Sequence, residues 1–197
     1  MNVKEPDFTY GNYTYADYLL WQLDEQVELI KGKIFRMSSA PMRIHQKLSG
    51  KVFYELYNYL SGNKCEVYSA PFDVRLPLKS LKDEDIITVV QPDICVICDP
   101  IKLDKRGCIG APDIVVEILS AGNNKKELQN KYEVYEESGI KEYWIIHPDE
   151  QSFLVYNLID GKYQASRLMT RGDQFTTPVL PGFVLNLDDV FDQEENV

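Results

Sequence analysis

The stretch APDIVVEILS, Ala111 to Ser120, decides how the chain reads. Ile114, Val115, Val116, Ile118 and Leu119 form a short run that is apolar on both faces of a strand, the pattern of a central strand covered on both sides. Glu117 interrupts it. With a period of two, Asp113, Val115, Glu117 and Leu119 share one face, and Ile114, Val116 and Ile118 the other. An ionised carboxylate in that setting is costly unless it is paired, hydrogen-bonded or metal-bound. Glu117 therefore calls for a cation, a cluster of hydrogen bonds, or a divalent metal shared with a second acid.

A second stretch, QPDICVICD from Gln91 to Asp99, is built the same way, with Asp93, Cys95 and Ile97 on one face. Two carboxylates at adjacent strand ends suffice for Mg2+, which takes one or two carboxylates and leaves its other positions to water and phosphate oxygens. Asp after Pro is also a good turn residue, so Asp93 has a structural reading beside the functional one. Asp113, in the same Pro-Asp context, reads as structural, at the entry of its strand.

Downstream, KKELQNKYEVYEESG reads as a helix ending at Gly139, and EYWIIHP as a strand. A strand, a helix and a strand imply a parallel pair with a right-handed crossover. After Pro148-Asp149, SFLVYNL and YQASRLM read as a hairpin, and the Pro-rich, acidic stretch from Thr177 as a loop and frayed end. Upstream, Thr14 to Leu23 has helical spacing with Thr14 as cap, and VELIKGKIFRMS is a hairpin turning at Lys31-Gly32. Ile44, Leu48, Val52, Leu56 and Leu60 recur at intervals of four, which predicts an amphipathic helix over Arg43 to Leu60. CEVYSA, DVRLPL and DIITVV are further strand candidates.

The 197 residues suit a single domain, with a core over about 15–180 and an acidic tail over about 186–197. There is no run of 18 apolar residues and no basic start followed by an apolar core, so neither a membrane span nor a secretory leader is expected, and the cytoplasm is. A net charge of −10 argues against nonspecific nucleic-acid binding, which needs basic surface. The charge is uneven, however: between Glu28 and Glu55 stand Lys31, Lys33, Arg36, Arg43, Lys47 and Lys51 without an acid. That segment is either a solvated face or a local nucleic-acid-facing patch. Cys95 and Cys98 would point to opposite faces of a strand, which disfavours zinc, and all four cysteines are expected to be free thiols.

Pro92-Asp93 followed by Glu117 in an apolar strand resembles the PD-(D/E)xK nuclease superfamily. The order VELIKGKIFRMSSAP with His45-Gln46, then QPDICVICD, GAPDIVVEILS and ELQNKYEVYEESGIKEYWIIHP is similar to the Uma-type family of endonucleases, over about 15–180. The resemblance implies a restriction-endonuclease-like α/β fold, a mixed central sheet flanked by helices, with an N-terminal helix and hairpin as elaboration. It implies Asp93 and Glu117 as ligands of Mg2+ or Mn2+, Glu28 as an assisting acid, and hydrolysis of DNA phosphodiester bonds. The motif's lysine belongs two residues after Glu117, where this chain has Leu119; the family's alternative is a lysine on the following helix, and Lys131 fits. Lys131 also reads as a surface residue paired with Glu127, and Glu28 as a solvated acid. Further departures are Ser120-Ala121 for Ser-Pro, His147 for Asp, and Glu127 for Asp. DNA contacts would come from Lys31, Lys33, Arg36, Arg43, His45 and Lys47, with a capping or surface role as the other reading of His45. A two-fold homodimer would suit duplex cleavage. The alternative function is an inactive nuclease-fold module for binding or assembly.

Overall fold

The computed structural model describes residues 6–9, 11–37, 42–120 and 125–191, with the side chains of 125–127 left aside. Helix α1 (Tyr15–Tyr18) leads into strands β1 (Val27–Ile30) and β2 (Lys33–Arg36) and helix α2 (Arg43–Leu60). Strands β3 (Glu66–Ser69), β4 (Val74–Arg75), β5 (Val89–Val90), β6 (Ile94–Ile97), β7 (Leu103–Asp104), β8 (Gly107–Ile109) and β9 (Ile114–Ile118) follow. After helix α3 (Lys125–Ser138) come β10 (Glu142–His147), β11 (Ser152–Ile159), β12 (Lys162–Ala165), β13 (Met169–Thr170), β14 (Gln174–Thr176), β15 (Val184–Asn186) and helix α4 (Leu187–Val190).

Among the described residues the strands make two large sheets and one hairpin. The first runs β12-β11-β10-β9-β6-β3, with β13 beside β11; the second runs β2-β1-β5-β4-β8-β7; β14 and β15 pair alone. β9 and β10 are parallel across α3, as the strand–helix–strand pattern implies, and β9 pairs antiparallel with β6. β9 is buried along its whole length. Ile114, Val116 and Ile118 pack beneath Leu48, Val52, Leu56 and Leu60 of α2. Val115, on the other face, packs with Val134 and Tyr135 of α3. A strand between two helical layers needs apolar residues on both faces, which is why this run does not alternate.

Several local expectations hold. The hairpin turns at Lys31 and Gly32, with φ of 50° and 77°, the left-handed pair that a two-residue turn of this kind requires. Gly139, at φ 84°, ends α3, and its amide donates to the Glu136 carbonyl. Thr14 caps α1 with a reciprocal Asp17 contact.

Others are corrected. The N-terminal helix stops after one turn, because Trp21 folds back edge-on against the Tyr13 ring at 5.0 Å and leaves Leu19 and Leu20 exposed. Cys95 and Cys108 are buried free thiols, but Cys65 and Cys98 form a disulfide. Glu66 faces Ile97 in the β3–β6 ladder, so the next pair outward is Cys65 and Cys98, a register invisible to single-strand periodicity. The stretch from 177, read as loop and frayed end, carries β15 and α4 and buries Leu180, Phe183, Leu185, Leu187, Val190 and Phe191 in the α2-side core. Its short apolar pieces have no period of their own and are ordered by the wall they meet: Phe183 packs on Tyr59 and Trp144. Residues 192–197, Ala121 and the side chain of Glu127 lie outside the described residues.

The C-terminal packing is open to a direct check. Phe183→Ala should lower unfolding free energy by about 4 kcal/mol in urea titrations, the scale of a buried Phe truncation; a frayed end would show no change.

Candidate active site

Asp93 and Glu117 are brought level by strand register. Ile94 faces Val116 across the antiparallel β6–β9 pair, so the next pair outward is Asp93 and Glu117. The Ile118 amide donates to Asp93 Oδ2 at 2.7 Å and fixes the carboxylate across the two strands. Glu28 arrives from the second sheet. It stands on β1 beside Leu29, which faces Val89, and the Gln91 amide donates to its Oε1 at 2.8 Å. Gln91 thus ties Glu28 to the segment that carries Asp93.

Lys131 closes the group from α3. Its ammonium lies 3.0 Å from Glu28 Oε1 and 3.0 Å from Glu117 Oε1, with Glu28, Glu117 and Lys131 all buried. Tyr135, one helical turn on, is fully buried and donates to Glu117 Oε1 at 2.7 Å. Lys131 is buried rather than on the surface, as the other reading of it allowed, and Glu28 is not a solvated hairpin acid. His45 is buried as well, with Nε2 3.2 Å from Asp93 Oδ2. Asp113 stands apart: it accepts from the Cys98 amide and from Lys141, which ties the entry of β9 to its neighbours.

The electrostatics follow from burial. Desolvation pushes the Glu117 carboxyl up to about 7; Lys131 opposes this, and Asp93 and Glu28 add to it. Burial alone would lower Lys131, but Glu117 and Glu28 hold it well above its ordinary value. Burial likewise works to lower His45, and its hydrogen bond and attraction to Asp93 outweigh that, so the imidazole is raised. Glu28 and Glu117 share the Lys131 ammonium and Asp93 faces the His45 imidazole, three acids against two bases in a poorly solvated place. Among the described residues no group of three or more His, Cys, Asp or Glu side chains forms a ready metal cage. The contacts above occupy Asp93 Oδ2 and Glu117 Oε1, one oxygen of each acid. Two hard oxygen donors with surplus negative charge fit a divalent ion whose other positions go to water or phosphate.

The basic segment is partly spent inside the fold. Lys31 pairs with Glu133 and Glu137 of α3, and Arg36 with Glu25 while lying over the Phe8 ring. Lys51 donates to the Asp189 and Val190 carbonyls and so holds α4. Lys33, Arg43 and Lys47 are exposed, Lys47 beside a cleft it lines with Ile44, Pro148 and Phe191. Sequence reasoning missed Tyr135 as a partner of Glu117, although its place four residues after Lys131 was a signal. It also left His45 among surface readings, although His45 continues the buried Leu48, Val52, Leu56 stripe by one turn.

The raised carboxyl predicts a pH dependence of stability. Between its ordinary value of 4.5 and about 7, the folded chain keeps a proton that the unfolded chain has lost. Stability from this group is therefore greatest below 4.5 and falls as pH rises through about 7. His45, also raised, acts in the same direction: its contribution is present below its ordinary value and is lost as pH rises through the folded one. In urea titrations at about pH 5 and pH 8 without divalent metal, Glu117→Gln should shrink the wild-type loss by roughly 3 kcal/mol. An unchanged loss would sink the assignment.

With this geometry in place, the likenesses to known proteins take on meaning. No curated protein matches the chain. A crystal structure titled as a "putative nuclease belonging to DUF820", from Anabaena variabilis, superposes with a TM-score of 0.72 at 20% identity, over 91% of this chain and 97% of that one. At that identity the likeness speaks for the fold alone: the two chains share one mixed α/β architecture. The model of the Uma2 family, described as "Putative restriction endonuclease", matches residues 15–188, from α1 through the start of α4. The chain whose β1, β6, β9 and α3 assemble this buried acid–lysine group belongs to the Uma2 family.

Proposed function

We propose that the protein is a divalent-metal-dependent endonuclease that hydrolyses DNA phosphodiester bonds. The observation that carries the reading is the register pair Asp93 and Glu117, with the Lys131 ammonium held 3.0 Å from Glu117. Membership of a family described as restriction endonucleases supports it. Asp93 and Glu117 would hold Mg2+ or Mn2+ through their remaining oxygens. Such an ion, when bound, lowers the pKa of water and offsets charge on the phosphate oxygens.

The chain's own groups do the rest. Tyr135 and Lys131 hold Glu117 Oε1, so that Oε2 is the oxygen that would meet the ion. Glu28 shares the ammonium and keeps Lys131 in place; once the acids turn to a cation, the same ammonium is available to the phosphate or the attacking water. His45 orients Asp93. Lys33, Arg43 and Lys47 are exposed cations of the basic segment suited to the DNA backbone, as are Lys31 and Arg36 once they leave their ion pairs with Glu133, Glu137 and Glu25. A two-fold homodimer would place two such sites on the two strands of a duplex.

A second reading has its own observation. Lys131 is already paired with Glu28 and Glu117, and Leu119 occupies the motif's lysine position, a combination that suits a nuclease fold kept for binding alone. Purified protein on supercoiled plasmid and single-stranded DNA decides between them. Mg2+ or Mn2+ should produce nicking that vanishes in Asp93→Ala, Glu117→Ala and falls roughly 100-fold or more in Lys131→Ala. Equal cleavage by wild type and the double variant rules the endonuclease out.

A further inference from the structure

Beside Asp93 a cleft of about 200 Å³ opens between α2 and the end of β3. Gln46, Ser49, Gly50 and Phe53 line it from the helix, with Ser69 and Asp93 on the other wall. Gln46, Gly50, Phe53 and Tyr57 fall on one helical face, opposite the buried Leu48, Val52 and Leu56 stripe. This face runs from the candidate active site toward the C-terminal end of α2, a distance of about 16 Å. Beyond the cleft it becomes aromatic. The Phe53 and Tyr57 rings stack at 5.9 Å with planes 19° apart, and Tyr57 and neighbouring Tyr54 are 59% and 61% exposed. Glu55, the only acid of α2, projects from the other side of the helix.

Gly50 is the telling residue. Glycine is the poorest interior helix former after proline, yet it stands in the middle of an 18-residue helix. Neither positive φ nor crowding requires it, since a Cβ there would meet nothing within 4 Å. What the missing side chain does is leave the floor of the cleft open next to Asp93.

We propose that this cleft and the ring ledge seat an unpaired nucleic-acid strand leaving the catalytic centre, with its sugar–phosphate crossing Gly50 against Ser49 and Gln46 and a base stacked on Tyr57 and Phe53. The proposal rests on the nuclease reading and adds the substrate form: a single-stranded segment beside the scissile position, because exposed ring faces accept bases only out of the duplex stack.

Fluorescence anisotropy with labelled oligo(dT), in EDTA so that nothing is cut, tests it on the full chain. Gly50→Leu should weaken oligo(dT) binding about ten-fold, the scale of one lost stacking contact, while raising the melting temperature by about 3 °C through helix propensity. Tyr57→Ala, at an exposed site, should weaken it similarly and leave melting unchanged, and unlabelled duplex should compete less well than single strand. Wild-type affinity in both variants overturns the strand path. If wild type cleaves and binds duplex while both variants behave like it, this inference falls and the nuclease reading stands. If wild type binds neither form and cleaves neither, both fall together.

Discussion

One buried ammonium, Lys131, sits between two buried carboxylates that belong to different sheets. Glu28 comes from β1 in the second sheet and Glu117 from β9 in the first, while Lys131 comes from the helix between β9 and β10. Three charges in one dry place are tolerated only if nearly every lone pair and proton finds a partner. Here the Gln91 amide and the Tyr135 hydroxyl complete the set. The arrangement makes the N-terminal hairpin, α3 and the central strand interdependent, and Lys31 reinforces it by pairing with Glu133 and Glu137 on the same helix.

The same constraint shapes the chemistry. Two residues beyond Glu117, where the PD-(D/E)xK motif has its lysine, Leu119 joins the α3-side core and its amide bonds to the Ile146 carbonyl. The lysine that meets Glu117 stands instead on α3, whose Val134 and Tyr135 pack on β9. Burial raises Glu117, and Asp93 and Glu28 add to it against the pull of Lys131, while His45 answers Asp93.

Much of this was legible before folding, for identifiable reasons. Lys31-Gly32 announces its hairpin because only certain residues accept two left-handed positions in succession. The spacing of Leu48, Val52, Leu56 and Leu60 announces α2, and Gly139 the end of α3. A lone Glu in a run apolar on both faces announces a charge in need of a partner, and Asp93 was nameable as its neighbour from the matching Pro-Asp stretch. Other features had no such marker. The Cys65–Cys98 pair, the burial of His45 against Asp93 and the place of Tyr135 at Glu117 each depend on a second element arriving in a particular register. The end of the chain gave a wrong impression for the same reason: Phe183 and Leu185 look like a loop until Trp144 and Tyr59 supply a wall.

The amino-acid sequence by itself determined the long periodic elements α2 and α3, the Lys31-Gly32 hairpin, the doubly buried strand β9, and that Glu117 needs a counter-charge, because periodicity, turn geometry and the cost of a buried carboxylate are local. Only the tertiary structure decided that Lys131 answers Glu28 and Glu117 together and that Asp93 stands opposite Glu117 with His45 behind it. Those contacts join residues from β1, α2, the start of β6, β9 and α3, across two sheets, and their distances follow from strand register and helix packing, which no single segment encodes.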